Sequence, residues 1–176
     1  IKPQYALERI RDLALETGKD TFYTTEVGQH QMWAAQHLCF EKPKRWMTSG
    51  GLGTMGYGFP SAMGVQTAHP DALVIAIAGD GSFQMNLQEI ATLIAYRLPV
   101  KCFILNNQFL GMVRQWQEMF HGERYSESHI DVQPDFVKLA EAYGALGLRA
   151  DTPGELDDVI KAAFASDLPT IIDVRT

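Results

Sequence analysis

Leu73-Val74-Ile75-Ala76-Ile77-Ala78-Gly79-Asp80-Gly81-Ser82 decides the fold class of this 176-residue chain. Leu73–Ala78 is continuously apolar, without the alternation of a strand that wets one face, so it reads as a strand buried on both faces. It stops abruptly at Gly79-Asp80-Gly81. Val100–Leu105 repeats the pattern and stops at Asn106-Asn107. Between them Leu87–Ala95 carries a helical pattern, so one crossover helix joins the two strands. Such a unit makes the strands parallel and brings their polar carboxyl ends to the same edge of a sheet.

The same alternation continues outward in both directions. On the amino-terminal side, Tyr5, Leu7, Ile10, Leu13 and Ala14 sit at helical spacing within Pro3–Leu15, with Gly18 as the stop. Thr21–Thr25 reads as a short strand, Gln29–Leu38 as a helix, Pro43–Pro60 as a glycine-dense loop, and the stretch after Pro60 to Ala68 as a helix. Downstream, Met112, Val113, Trp116 and Met119 mark a helix, followed by a polar loop around Ser126–Asp131. Pro134–Tyr143 and Pro153–Ala165 are helical, and Leu146–Arg149 and Thr170–Val174 are strands. Alternating buried strands and helices predict one domain over 1–176, a three-layer α/β/α sandwich with a mainly parallel sheet.

Composition narrows the class of partner. A net charge of -6 argues against nucleic acid, which needs a basic surface, but not against a small anion held by backbone amides. The hydrophobic fraction of 46% suits a globular core. No apolar run is long enough for a membrane span and no signal peptide is visible, so no membrane partner is expected. Cys39 and Cys102 lack metal-ligand spacing; Cys102, inside an apolar run, reads as a buried small hydrophobe in a reduced, cytoplasmic setting.

The two strand ends carry the chemistry. A carboxylate from Asp80 and a carboxamide from Asn107, converging on one point, form a hard oxygen set suited to Mg2+, which often shares its shell with phosphate. Glycines beside Asp80 let backbone approach a phosphate, and Ser82 opens a helix whose amides favour an anion. Taken singly, Gly-Asp-Gly is more often only a turn and Asn-Asn only a helix cap. Together, each after a buried strand, they are far more specific.

Gly79-Asp80-Gly81, twenty-four residues, then Asn106-Asn107 resembles the fingerprint of thiamine-diphosphate enzymes and their cofactor-binding fold. Three further stretches are similar to the large, catalytic subunits of acetolactate synthase (acetohydroxyacid synthase): Val27-Gly28-Gln29-His30-Gln31-Met32-Trp33, Ser49-Gly50-Gly51-Leu52-Gly53-Thr54-Met55-Gly56, and Leu110-Gly111-Met112-Val113-Arg114-Gln115-Trp116. The resemblance implies Mg2+ on Asp80, Asn107 and the Phe109 carbonyl, and Gln29 and His30 on the diphosphate. It implies that Gly50, Gly51, Gly53, Thr54 and Met55 line the cofactor, with Met55 wedged between its rings and the Gly53 carbonyl on its 4′-amino group. Gly81 and Ser82 would approach the phosphate, and Asn107, Gln108, Phe109, Leu110, Gly111 and Met112 would close over it. Trp116 would shape the substrate pocket. Two departures are small: Glu26 stands where Asp is more usual, and Tyr57-Gly58-Phe59 varies an aromatic-Gly-Leu pattern. Structural readings stand beside these. His30 could cap a helix, Met55 could fill core, and Trp116 with Met112 and Met119 forms an apolar stripe. His37, His69, His121 and His129 read as structural or surface.

The implied activity condenses two pyruvates to 2-acetolactate and CO2, or pyruvate with 2-ketobutyrate, in branched-chain amino-acid synthesis. Within that family the activating glutamate lies on a pyrimidine-binding domain of a neighbouring subunit, and a central domain holds FAD. Both are absent here, and Ile1 in place of Met points the same way, so the chain is expected to be a C-terminal fragment without turnover or a catalytic residue of its own. Glu26, Glu41 and Glu89 do not fill that role. A homodimer through this domain, a small regulatory subunit, and a bacterial cytoplasm (a plastid if the source is a plant) complete the expectations. Two alternatives stay open. One is the cofactor subunit of a split thiamine-diphosphate 2-oxoacid decarboxylase, against which Gly-Met-Val-Arg-Gln-Trp argues. The other is a non-catalytic α/β nucleotide-binding or regulatory module, although no G-x-G-x-x-G follows an early strand.

Overall fold

The computed structural model describes residues 1–176. Six strands form one sheet: β1 (Thr21–Thr25), β2 (Trp46–Thr48), β3 (Leu73–Gly79), β4 (Lys101–Asn106), β5 (Leu146–Ala150) and β6 (Thr170–Arg175). Their order is β2-β1-β3-β4-β6-β5, and every pairing is parallel. Helices α1 (Pro3–Glu16), α2 (Gln29–His37) and α8 (Pro153–Ala165) cover one face; α3 (Gly58–Ala68), α5 (Ile90–Tyr96) and α7 (Phe136–Tyr143) cover the other. The three-layer α/β/α architecture expected from the strand pattern is the one observed.

All seven residues of β3 are buried because alternate side chains serve two different cores. Ile75 and Ile77 join Leu7, Ile10 and Ile160 on one face; Val74, Ala76 and Ala78 join Phe59, Phe83 and Phe136 on the other. Cys102 lies in that second core, fully buried. No helix is long and apolar enough to cross a membrane.

Two elements differ from the sequence expectation. β2 lies inside the stretch expected to be loop; three residues are too few to show a period, and the strand is set by its parallel partner and by Trp46 stacking on Phe40 at 5.6 Å. The β3–β4 crossover is broken into α4 (Asp80–Phe83), a 3-10 turn at Leu87–Glu89, and α5. The break falls where Asn86 turns away to donate to the Gly56 carbonyl at 2.6 Å, tying the crossover to the glycine loop.

After β1 the chain moves to β2, one way along the sheet; after β3 it moves to β4, the other way. The crevice outside the carboxyl ends of β1 and β3 is therefore the topological switch point, where open α/β sheets bind ligands.

Candidate functional site

A cavity of about 230 Å3 opens at that crevice. Its walls come from the residues just past β1 (Val27 to His30), past β3 (Asp80 to Ser82) and past β4 (Asn107), with Gly53 and Met55 from the glycine loop and Phe109 to Val113 leading into α6 (Gly111–Phe120). Segments far apart in sequence meet because three neighbouring parallel strands end side by side.

Asp80 is the first residue of α4 and is 1% exposed. Burial pushes its carboxyl pKa up, partly offset by a hydrogen bond from Gln133 and by nearby backbone amides. A buried carboxylate of this kind is stabilised by a cation. Asn107 begins the bend after β4 and borders the cavity, and its Oδ1 accepts the Phe109 N–H at 2.9 Å, which fixes the carboxamide against the bend. Between them Gln108 has φ 62°, a left-handed conformation that non-glycine residues seldom adopt. No three His, Cys, Asp or Glu side chains converge anywhere in the chain. The residues bordering this cavity instead offer a carboxylate from Asp80 and a carboxamide from Asn107, hard oxygen donors of the kind that suit Mg2+ completed by phosphate and water.

His30, in the first turn of α2, is 6% exposed, and its Nε2 has no hydrogen-bond partner in the protein. Burial lowers its pKa to about 4, against a smaller opposing pull from the Glu26 backbone, so the ring is neutral at pH 7. A neutral imidazole still carries one N–H and can donate it to an anion. The ring fits only because Gly28 and Gly79 lack side chains: a Cβ on either would approach it to 2.6 or 2.9 Å. His30 borders the cavity together with Asp80 and Asn107, and an imidazole beside a carboxylate and a carboxamide fits a magnesium-bound diphosphate.

Of the other residues singled out from sequence, Gln29, Gly53, Met55, Gly81, Ser82, Phe109, Leu110, Gly111 and Met112 line the cavity. Met55 and Leu110 close around Gly81, where a Cβ would lie 3.9 Å from Met55 Cε and 2.8 Å from Leu110 Cδ2. Gly50, Gly51 and Thr54 lie on the exposed arm of the glycine loop, and the Gln108 side chain is exposed. None of these four borders the cavity. Trp116 is 60% exposed and borders an adjacent groove that shares Met112 and Val113 with the cavity.

Sequence reasoning missed three contributors. Glu26, 1% exposed, accepts from the N–H groups of Gly56 at 2.6 Å and Phe59 at 2.8 Å, and so anchors the loop that carries Met55. A carboxylate placed directly after the strand Thr21–Thr25 was the available signal. Gln133 reaches Asp80 across a separation of 53 residues, which nothing local announces. The polar loop near Ser128 straps the segment over the cavity, with Leu110 N–H donating to Ser128 and Ile130 N–H to Gln108, both at 2.8 Å.

Comparison with known proteins agrees with this geometry. The family described as thiamine pyrophosphate enzyme, C-terminal TPP binding domain, matches residues 26–174. Relatives include the acetolactate synthase isozyme 3 large subunit of Escherichia coli, 50% identical over 93% of this chain and 28% of that protein. The acetolactate synthase large subunit of Parasynechococcus marenigrum is 53% identical over 99% of this chain and 28% of its own length. The mitochondrial acetolactate synthase catalytic subunit of Saccharomyces cerevisiae is 49% identical over 99% of this chain and 25% of its own. The chain thus spans between a quarter and a third of the length of the curated relatives it matches.

Proposed function

The chain belongs to the thiamine pyrophosphate enzymes as their C-terminal cofactor-binding domain, and from that premise we propose that it serves an acetolactate synthase large subunit. There it would hold thiamine diphosphate and Mg2+ while two pyruvates, or pyruvate and 2-ketobutyrate, are condensed. The observation that carries this reading is one cavity bordered by Asp80, Asn107 and His30, whose buried Nε2 has no partner within the protein.

Asp80 and Asn107, with the Phe109 main-chain carbonyl, would hold Mg2+, and the metal would offset the burial cost of the Asp80 carboxylate. His30 and Gln29 would stand against the diphosphate. Met55 supplies an adaptable apolar surface, which Glu26 fixes by holding the Gly56 amide. Leu110 and Met112 keep water from the cavity wall. When bound, the cofactor provides a carbon nucleophile and the electron sink that lets a 2-oxoacid lose CO2. Glu26 is buried and accepts from two amides, and in this reading the glutamate that activates the cofactor would come from outside this chain. The same reading carries a homodimer, a small regulatory subunit and FAD in the full-length transferase, and no turnover by residues 1–176 alone.

A chimera tests it. Residues 1–176, placed in the corresponding segment of the Escherichia coli relative, are expected to give acetolactate from pyruvate, and Asp80→Ala in the chimera to abolish it. A folded chimera without synthase activity would refute the assignment.

A further inference from the structure

β6 is a buried strand of Ile171, Ile172 and Val174, and in its midst Asp173 is 0% exposed. A carboxylate there is costly unless it is paired and fully hydrogen-bonded. Its Oδ2 faces Arg149 Nε and Arg175 Nη2, each at 3.2 Å. Its Oδ1 accepts from the Asn106 side-chain amide at 3.0 Å. A carboxylate only accepts, so the Asn106 carboxamide has one allowed orientation, NH2 toward Asp173 and oxygen away. That oxygen accepts the Gln108 N–H at 3.3 Å.

Gln108 is the left-handed residue between Asn107 and Phe109. A strained bend persists only where its surroundings hold it. The partner of its N–H is the very group that Asp173 orients. A second arm leaves the same carboxylate. Arg149, bound to Asp173, also donates to Asp135 at 2.9 Å, and Asp135 accepts from the Val137 and Lys138 amides to start α7. Gln133, two residues earlier, reaches Asp80.

We infer that Asp173 is a positioning residue for the metal site: acting through Asn106 it fixes the Asn107–Phe109 bend, and through Arg149 and Asp135 it fixes the segment that carries Gln133 to Asp80. The inference rests on the reading that this bend and Asp80 hold Mg2+. It explains why one apolar strand buries a charge at the edge of the site.

The test uses the 176-residue chain with Asn106→Ala and Asp173→Asn, singly and together. Two quantities are read: hydrogen exchange of the Gln108 amide without metal, and the Mg2+ concentration needed for thiamine-diphosphate binding by calorimetry. Each variant is expected to speed Gln108 exchange while the Ile75 amide in the core stays protected. Each is also expected to raise the Mg2+ requirement by about tenfold, the usual cost of losing a group that orients a metal ligand. The double variant should be no worse than the more affected single one. Unchanged Gln108 exchange and an Mg2+ requirement within about twofold of wild type, with only the melting point lowered, would overturn the inference. Should Asp173→Asn fail to fold, Asn106→Ala decides, since it leaves the arginine pairs intact. A wild-type chain indifferent to Mg2+ would instead defeat the functional reading, and Gln108 exchange would still decide the positioning role.

Discussion

Gly58 and Gly64 lie six residues apart on α3, and the same substitution to alanine is expected to act in opposite directions at the two. At Gly58 a Cβ would sit 2.4 Å from the Thr25 carbonyl carbon, 2.5 Å from Glu26 N and 2.7 Å from the Thr25 oxygen. All three are backbone atoms at the end of β1, so no side chain can swing aside. Carbon atoms normally rest about 3.5–4.0 Å apart, so α3 must retreat by about 1 Å. That retreat stretches the Thr24 hydroxyl bond to the Gly58 carbonyl, 2.8 Å in the native fold, and loosens fully buried Phe59 from Phe83. Overpacking costs about 1–3 kcal/mol, and with the loosened contacts the upper end applies, about 3 kcal/mol. For a chain of this length that is a fall of roughly 6–12 °C in melting temperature. At Gly64 nothing lies within 4 Å and the site is exposed. There alanine only relieves the helix penalty of glycine, a gain of about 0.8–1 kcal/mol. Urea melts followed by far-UV circular dichroism measure both, with unchanged denaturant dependence as the check on two-state behaviour. A Gly58→Ala midpoint equal to that of Gly64→Ala would refute the claim that the helix and the strand end touch through backbone.

Two further outcomes follow from buried groups. His30 has its pKa lowered to about 4 by burial, from 6.5, so the unfolded chain binds the extra proton between those values. Its contribution to stability is complete above pH 6.5 and is lost as pH falls toward 4, by up to about 3 kcal/mol. The wild-type minus His30→Gln difference in urea melts should show that slope, and a difference flat from pH 7 to 4 would contradict it. Cys102 is fully buried, with burial pushing its thiol well above the usual range, whereas Cys39 is exposed. A thiol reagent should therefore titrate one group in the native chain and two in denaturant; two rapid native reactions would contradict the packing.

The layers were legible in the sequence because Leu73–Ala78 and Val100–Leu105 are apolar without alternation, and only a sheet covered on both faces calls for that. The ends of those strands were legible for the same reason: Asp80 and Asn107 break the apolar runs where the sheet stops. β2 was not legible, because a three-residue strand takes its identity from its neighbour. The site divided along similar lines. His30, Met55 and Gly81 lie in stretches whose resemblance marks them. Gln133, Glu26 and Asp173 act through contacts set only by tertiary folding. Asp173 did leave one local trace, a charge in an apolar strand, whose meaning depended on seeing Asn106 beside it.

The central claim is that Asp80 holds a metal ion that in turn holds thiamine diphosphate. Calorimetric titration of the 176-residue chain with thiamine diphosphate, with and without Mg2+, in wild type and Asp80→Ala, tests it most directly. The expected result is binding by wild type that requires Mg2+ and is lost in Asp80→Ala, with the variant still folded by circular dichroism. Binding that ignores Mg2+, or survives Asp80→Ala undiminished, would contradict it.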